Sequence, residues 1–142
     1  MAKLVLIADD NSDNILLMKR ILRRSGMEID FIDAQTGREA IAAAIRRRPQ
    51  LVLLDMKMPD MDGYETVSVL KSNEETKGIP VIAVTAQAML SDRERALQAG
   101  CDEYVSKPID SALLVDIVKR RLSEVARLGA VTETIGKCSE QK

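Results

Sequence analysis

The sequence predicts an α/β fold: a doubly wound, five-stranded parallel sheet. Two observations predict it. Five short β-like runs alternate along the chain with five helical patterns, and strands that alternate with helices build βαβ units. Three of those runs are apolar throughout, as strands covered on both faces must be, while the other two are short or alternate polar with apolar, as edge strands do.

The elements follow in order. The first run is Leu4-Val5-Leu6-Ile7-Ala8, and the helix after it is expected to be capped by Asn11, Ser12 or Asp13. Ile15, Met18, Ile21 and Leu22 recur at helical spacing and give that helix an apolar stripe; Gly26 stands where it should stop. The second run is Glu28-Ile29-Asp30-Phe31-Ile32. Thr36-Gly37-Arg38-Glu39 matches a capping box for the second helix. The third run is Leu51-Val52-Leu53-Leu54, and Asp62 can cap a helix beginning at Gly63-Tyr64. The fourth run is Val81-Ile82-Ala83-Val84; Ser91-Asp92-Arg93-Glu94 reads as a second capping box, with Gly100 as the stop. The fifth run is Glu103-Tyr104-Val105-Ser106; Asp110 can cap the last helix, whose stripe is Leu113, Leu114, Ile117 and Val118. With the first, third and fourth strands central, the order is 2-1-3-4-5, the flavodoxin-like (βα)5 arrangement.

Composition bounds the chemistry. The chain has 142 residues, enough for one domain with a core that needs no staples. It contains no histidine, which removes His-based metal sites, Ser-His-Asp and Cys-His nucleophile systems, and His general bases. A net charge of −1 and 2% aromatic residues argue against a nucleic-acid surface built on bulk charge or ring stacking. Cys101 and Cys138 lie far apart and make no Cys-x-x-Cys, so no disulfide framework is expected. The apolar start is too short for a signal peptide and meets acid at Asp9, and no run approaches a membrane span; the expectation is a cytoplasmic domain.

An open parallel sheet binds ligands outside the carboxyl ends of its strands. Asp9 and Asp10 follow the first strand, Asp55 the third, Thr85-Ala86 the fourth and Lys107-Pro108 the fifth. Two unit charges about 4 Å apart repel by roughly 4 kcal/mol at an effective dielectric of 20, so three gathered carboxylates need a proton or a cation. A hard divalent ion such as Mg²⁺ takes one or two carboxylates and leaves room for a phosphate oxygen. Asp9 and Asp10 are then the natural holders, and Asp55 is the reacting group, a nucleophile that would form an acyl phosphate. Lys107 and Thr85 would position and neutralise phosphoryl oxygens. Taken singly, each residue has an ordinary explanation as a turn, cap, strand or solvated loop residue. Independent accidents would not place all of these types after four strands in this order.

These residues resemble the receiver domains of bacterial response regulators, the CheY-like single-domain type of two-component phosphorelay signalling. The resemblance covers about Lys3 to Leu122. It rests on Asp9-Asp10-Asn11, on Leu54-Asp55-Met56-Lys57-Met58-Pro59-Asp60-Met61-Asp62-Gly63, on Val84-Thr85-Ala86, on Gly100-Cys101-Asp102-Glu103-Tyr104 and on Lys107-Pro108. It implies Asp55 as phosphoacceptor, and Mg²⁺ held by Asp9, Asp10, Asp55 and the backbone carbonyl of Lys57. It also implies Thr85 as the switch hydroxyl, Lys107 as its ammonium partner, Tyr104 as the switch aromatic and a cis Lys107–Pro108 bond. Lys57 and Gln87, each two residues beyond a site residue, are expected to tune the rate of dephosphorylation; the hypothesis is that Lys57 slows it.

The function expected is a phosphorylation-dependent signalling switch, not an enzyme with an external substrate. Asp55 would accept a phosphoryl group from a partner histidine kinase or phosphotransfer protein, and a downstream protein would read the changed surface. With no histidine, this chain holds only the aspartate side of such a relay. No nucleic-acid or membrane partner is expected, and the chain should be a monomer or weak homodimer. One alternative is a receiver module excised from a hybrid kinase or larger regulator. Another is an Asp-nucleophile, Mg²⁺-dependent phosphohydrolase, but those enzymes usually carry a second acid two residues after the nucleophile, where Lys57 follows Asp55 and Asn11 follows Asp9. The domain is expected over 1–122. Residues 123–142 are expected to be a short helical extension and a flexible tail, with a docking or dimerising helix as the other reading.

Overall fold

The computed structural model describes residues 2–86 and 89–123. The strands are β1 (Lys3–Ala8), β2 (Ile29–Ala34), β3 (Leu51–Leu54), β4 (Val81–Thr85) and β5 (Glu103–Ser106). They alternate with α1 (Ser12–Arg24), α2 (Gly37–Arg47), α3 (Gly63–Ser72) and α4 (Leu90–Ala99), and a fifth helix, α5, runs through 111–123. The sheet order is β2-β1-β3-β4-β5 and every neighbouring pair is parallel. The expected fold and order therefore hold. The tail beyond residue 123 and the expectation for Gln87 lie outside the described residues.

Side-chain alternation along the central strands divides the core in two. Leu6, Ala8, Val52, Leu54, Val81 and Ala83 face α2, α3 and α4, where Ala40, Ala44, Val67, Leu70 and Ala96 meet them. Val5, Ile7, Leu51, Leu53, Ile82 and Val84 face Ile15, Met18 and Leu22 of α1 and Leu114, Ile117 and Val118 of α5. β3 and β4 are buried along their whole length, whereas β2 and β5 keep partly exposed residues at the sheet edges.

Several sequence details need correction. β2 begins after Glu28 and runs on to Ala34, because its frame is set by pairing with β1, from Lys3 opposite Ile29 to Ala8 opposite Ala34. Ser91 does not cap α4. The helix starts at Leu90, and the amides of Asp92 and Arg93 both donate to the Met89 carbonyl, so Ser91 already lies in the first turn. Leu113 is exposed, one residue and about 100° out of phase with the buried stripe of Leu114, Ile117, Val118 and Leu122. The other caps form as expected: Asn11 on α1, Thr36 on α2, Asp62 on α3 and Asp110 on α5. Gly26 and Gly100 take positive φ at helix ends. Arg48, which carries no sequence signal for it, ends α2 in the left-handed region.

Candidate cation and phosphoryl site

The site forms where the sheet order reverses, at the carboxyl ends of β1 and β3. The Asp9 amide donates to the Ala34 carbonyl and the Asp55 amide to the Ala8 carbonyl, so the backbone that carries both acids is held as a continuation of the sheet. Asp9 is fully buried. Its Oδ1 accepts from the Asn11 amide at 2.9 Å and from Asn14 Nδ2 at 3.5 Å; its Oδ2 accepts from Lys107 Nζ at 2.9 Å. Asp55 is also buried. Its Oδ1 accepts from the Lys57 amide at 3.1 Å and its Oδ2 from Lys107 Nζ at 3.3 Å. Asp10 is exposed. One carboxylate oxygen from each of Asp9, Asp10 and Asp55 lies within 4.8 Å of the other two.

The electrostatics follow from burial and pairing. Burial pushes the Asp55 carboxyl above its ordinary value and Asp9 adds to the push, against the pull of the Lys57 amide and of Lys107. Burial acts to lower Lys107, but Asp9 and Asp55 together outweigh it and hold the ammonium above its ordinary range. Both shifts go upward but for opposite reasons: burial outweighs pairing at Asp55, whereas pairing with two carboxylates outweighs burial at Lys107.

Thr85 ends β4, buried, and its carbonyl accepts from the Lys107 amide at 2.8 Å. That bond aligns the end of β5 with the end of β4. The Lys107–Pro108 peptide is cis, as the resemblance implied. Tyr104, on β5, packs its ring against the core on the α2–α4 side; its hydroxyl is buried without a hydrogen-bond partner among the described residues. The Lys57 side chain is exposed. The structure thus brings Asp9, Asp10, Asp55, Thr85 and Lys107 to one end of the sheet, with Lys57 beside them through its amide.

Sequence reasoning missed the loop's own supports. Gly63 donates its amide to the Met56 carbonyl at 2.9 Å, closing the loop between β3 and α3. A Cβ on Gly63 would lie 2.5 Å from Met56 Cα and 2.9 Å from the Asp55 carbonyl oxygen, so only glycine fits. Asp60 binds the first turn of α2. Asn14 contacts Asp9 from one turn into α1. The signal for these was the motif itself, but the partners are set by three-dimensional approach.

Three gathered carboxylates with a lysine bridging two of them, at the switch point of a parallel sheet, make an α/β module whose edge suits a hard cation. The particular family follows from comparison. The chain belongs to the response regulator receiver domain family, whose model matches residues 5–119. The polar-differentiation response regulator DivK of Brucella ovis is 40% identical over 124 residues, which cover 87% of this chain and 99% of that protein. Among solved structures, a CheY-like receiver domain protein from Methanospirillum hungatei is 31% identical with a TM-score of 0.79, covering 89% of this chain and 98% of that one. The receiver domain of a sensor histidine kinase from Pseudomonas aeruginosa is 32% identical with a TM-score of 0.78, covering 87% and 99%. That structure has a magnesium ion coordinated in its active-site cleft. Among the described residues of the present chain, no helix is long and apolar enough to cross a membrane.

Proposed function

We propose that this receiver domain is a switch thrown by phosphorylation of Asp55, with a histidine kinase or histidine phosphotransfer protein as donor and a downstream protein as reader. The observation that carries the reading is the placement of Lys107 across Asp9 and Asp55, beside three acid oxygens that lie within 4.8 Å of one another. That donor set suits a hard divalent cation. Asp9, Asp10, Asp55 and the Lys57 carbonyl would hold Mg²⁺, which neutralises phosphoryl oxygens when bound.

The chain's own residues do the rest. An Asp55 carboxylate oxygen attacks phosphorus; the P–N bond of the donor's phosphohistidine breaks and its electron pair leaves with the imidazole. The product is an acyl phosphate on Asp55. Lys107, 3.3 Å from Asp55 Oδ2, balances the added charge, and the Thr85 hydroxyl turns toward a phosphoryl oxygen. Movement of Thr85 opens or closes space for the Tyr104 ring, which changes the surface that a partner reads. As a regulator of this kind the domain phosphorylates and dephosphorylates only itself. The absence of histidine places the phosphoryl donor on a different polypeptide or in a different part of a longer one.

The test is incubation with a small-molecule phosphodonor and Mg²⁺, read by intact mass. One phosphoryl increment is expected on the wild type and none on Asp55→Asn; an adduct that persists in Asp55→Asn removes the reading. The reactive form is the carboxylate. Without Mg²⁺, burial should make the Asp55 carboxyl take up its proton at a higher pH than an ordinary aspartate, read by NMR titration of its side-chain carbon. Lys57→Ala should shorten the lifetime of the phosphorylated form, since the exposed lysine covers the approach of water; an unchanged or longer lifetime would sink that role.

A further inference from the structure

The loop between β3 and α3 carries Lys57, and the whole loop must be held still for its carbonyl to serve as a ligand. Its two ends are tied to each other through Gly63 and Met56. Its interior is tied to a different element. Asp60 Oδ1 accepts from the Gly37 amide at 2.9 Å and Oδ2 from the Arg38 amide at 3.2 Å, both in the first turn of α2. These are two of the amides that a helix leaves without intrahelical partners.

The remaining first-turn amides of α2 are served locally. Thr36 Oγ1 accepts from Glu39, and the Thr36 carbonyl accepts from Ala40. The helix therefore has its own cap, and Asp60 adds a link between elements 22 and 23 residues apart. The approach is close: a Cβ on Gly37 would lie 3.1 Å from the Met61 carbonyl oxygen and 2.5 Å from Thr66 Oγ1. The Gly37 amide also holds the Asp60 carboxyl below the ordinary carboxylate range, so it is charged at neutral pH, where the positive end of the α2 dipole favours it.

We infer that Asp60 is a positioning residue for the cation site: by fastening the loop to α2 it sets where the Lys57 carbonyl stands. The inference rests on the reading of Asp9, Asp10, Asp55 and Lys57 given under Proposed function. Losing a group that orients a metal ligand weakens metal binding roughly tenfold or more. Phosphorylation at saturating magnesium should survive, because Asp60 touches neither the acids nor Lys107.

The experiment uses the full chain and three variants, Asp60→Ala, Asp60→Asn and Thr36→Ala. Mg²⁺ affinity is measured by amide NMR titration, thermal stability by melting, and phosphorylation by a small-molecule donor over a range of magnesium concentrations. Asp60→Ala should weaken Mg²⁺ binding by about tenfold and raise the half-maximal magnesium concentration to match, with the maximal rate little changed. Asp60→Asn keeps a carbonyl acceptor and should fall between. Thr36→Ala loses a cap at the same helix end, so it should lower the melting temperature but leave Mg²⁺ affinity alone. The inference is overturned if Asp60→Ala binds Mg²⁺ like the wild type, or if Thr36→Ala weakens binding equally. A wild type that shows no Mg²⁺-dependent shifts at Asp9, Asp10 and Asp55 overturns the parent reading and this one together.

Discussion

Helices α1 and α4 both lead away from the site, and they are held very differently. α1 buries Ile15, Met18, Ile21 and Leu22 and is capped by Asn11, whose side chain accepts from the Asp13 amide. α4 buries only Ala96, has no side-chain cap, and opens on Met89 and Leu90, each 70% exposed. Its grip on the body includes the Arg95 guanidinium, 3.9 Å from the centre of the Tyr64 ring on α3. Elements with few buried apolar contacts open at lower free energy than the rest of a fold. The asymmetry suits a switch: α1 keeps Asp9 fixed, while α4, a few residues beyond Thr85, is cheap to displace.

The contrast can be broken at three levels. Leu22→Ala in α1 should destabilise the domain by about 2–5 kcal/mol, because it empties a fully packed position, whereas Leu90→Ala in α4 should change it by less than about 0.5 kcal/mol. Urea melts of both variants decide this, and equal losses would remove the asymmetry. Asn11→Ala should cost about 1 kcal/mol through the lost cap on α1. Met89→Ser should gain a few tenths to 1 kcal/mol by supplying α4 with the cap it lacks. If α4 is the displaced element, that added stability should also slow hydrogen exchange of the α4 amides while those of α1 keep their rates.

The sheet was legible because burial on both faces leaves a plain mark: Leu51–Leu54 and Val81–Val84 have no polar residue, so they had to be central. The acids, Thr85 and Lys107 were legible for a topological reason, since whatever follows a parallel strand arrives at one edge. Phase was harder. Leu113-Leu114-Val115 offers no polar residue to set the helical phase, and only packing against the sheet decides that Leu114 is the buried one. Ser91 looked like a cap because the capping box is a local pattern, but α4 begins one residue before it. Asp60 sat in plain view within the motif around Asp55, yet its partners lie in α2, and spacing along a chain does not report contacts made across it.

Gly63 carries a mechanical consequence. The first residue of α3 rests directly on the backbone of Met56 and on the carbonyl of Asp55, with no side chain as padding between them. The third helix and Asp55 are therefore in backbone contact without slack, so a shift of one presses on the other. That contact runs through backbone alone, so it does not depend on which side chains line α3. A load on α3 would, through the same contact, be felt first at the Asp55 backbone.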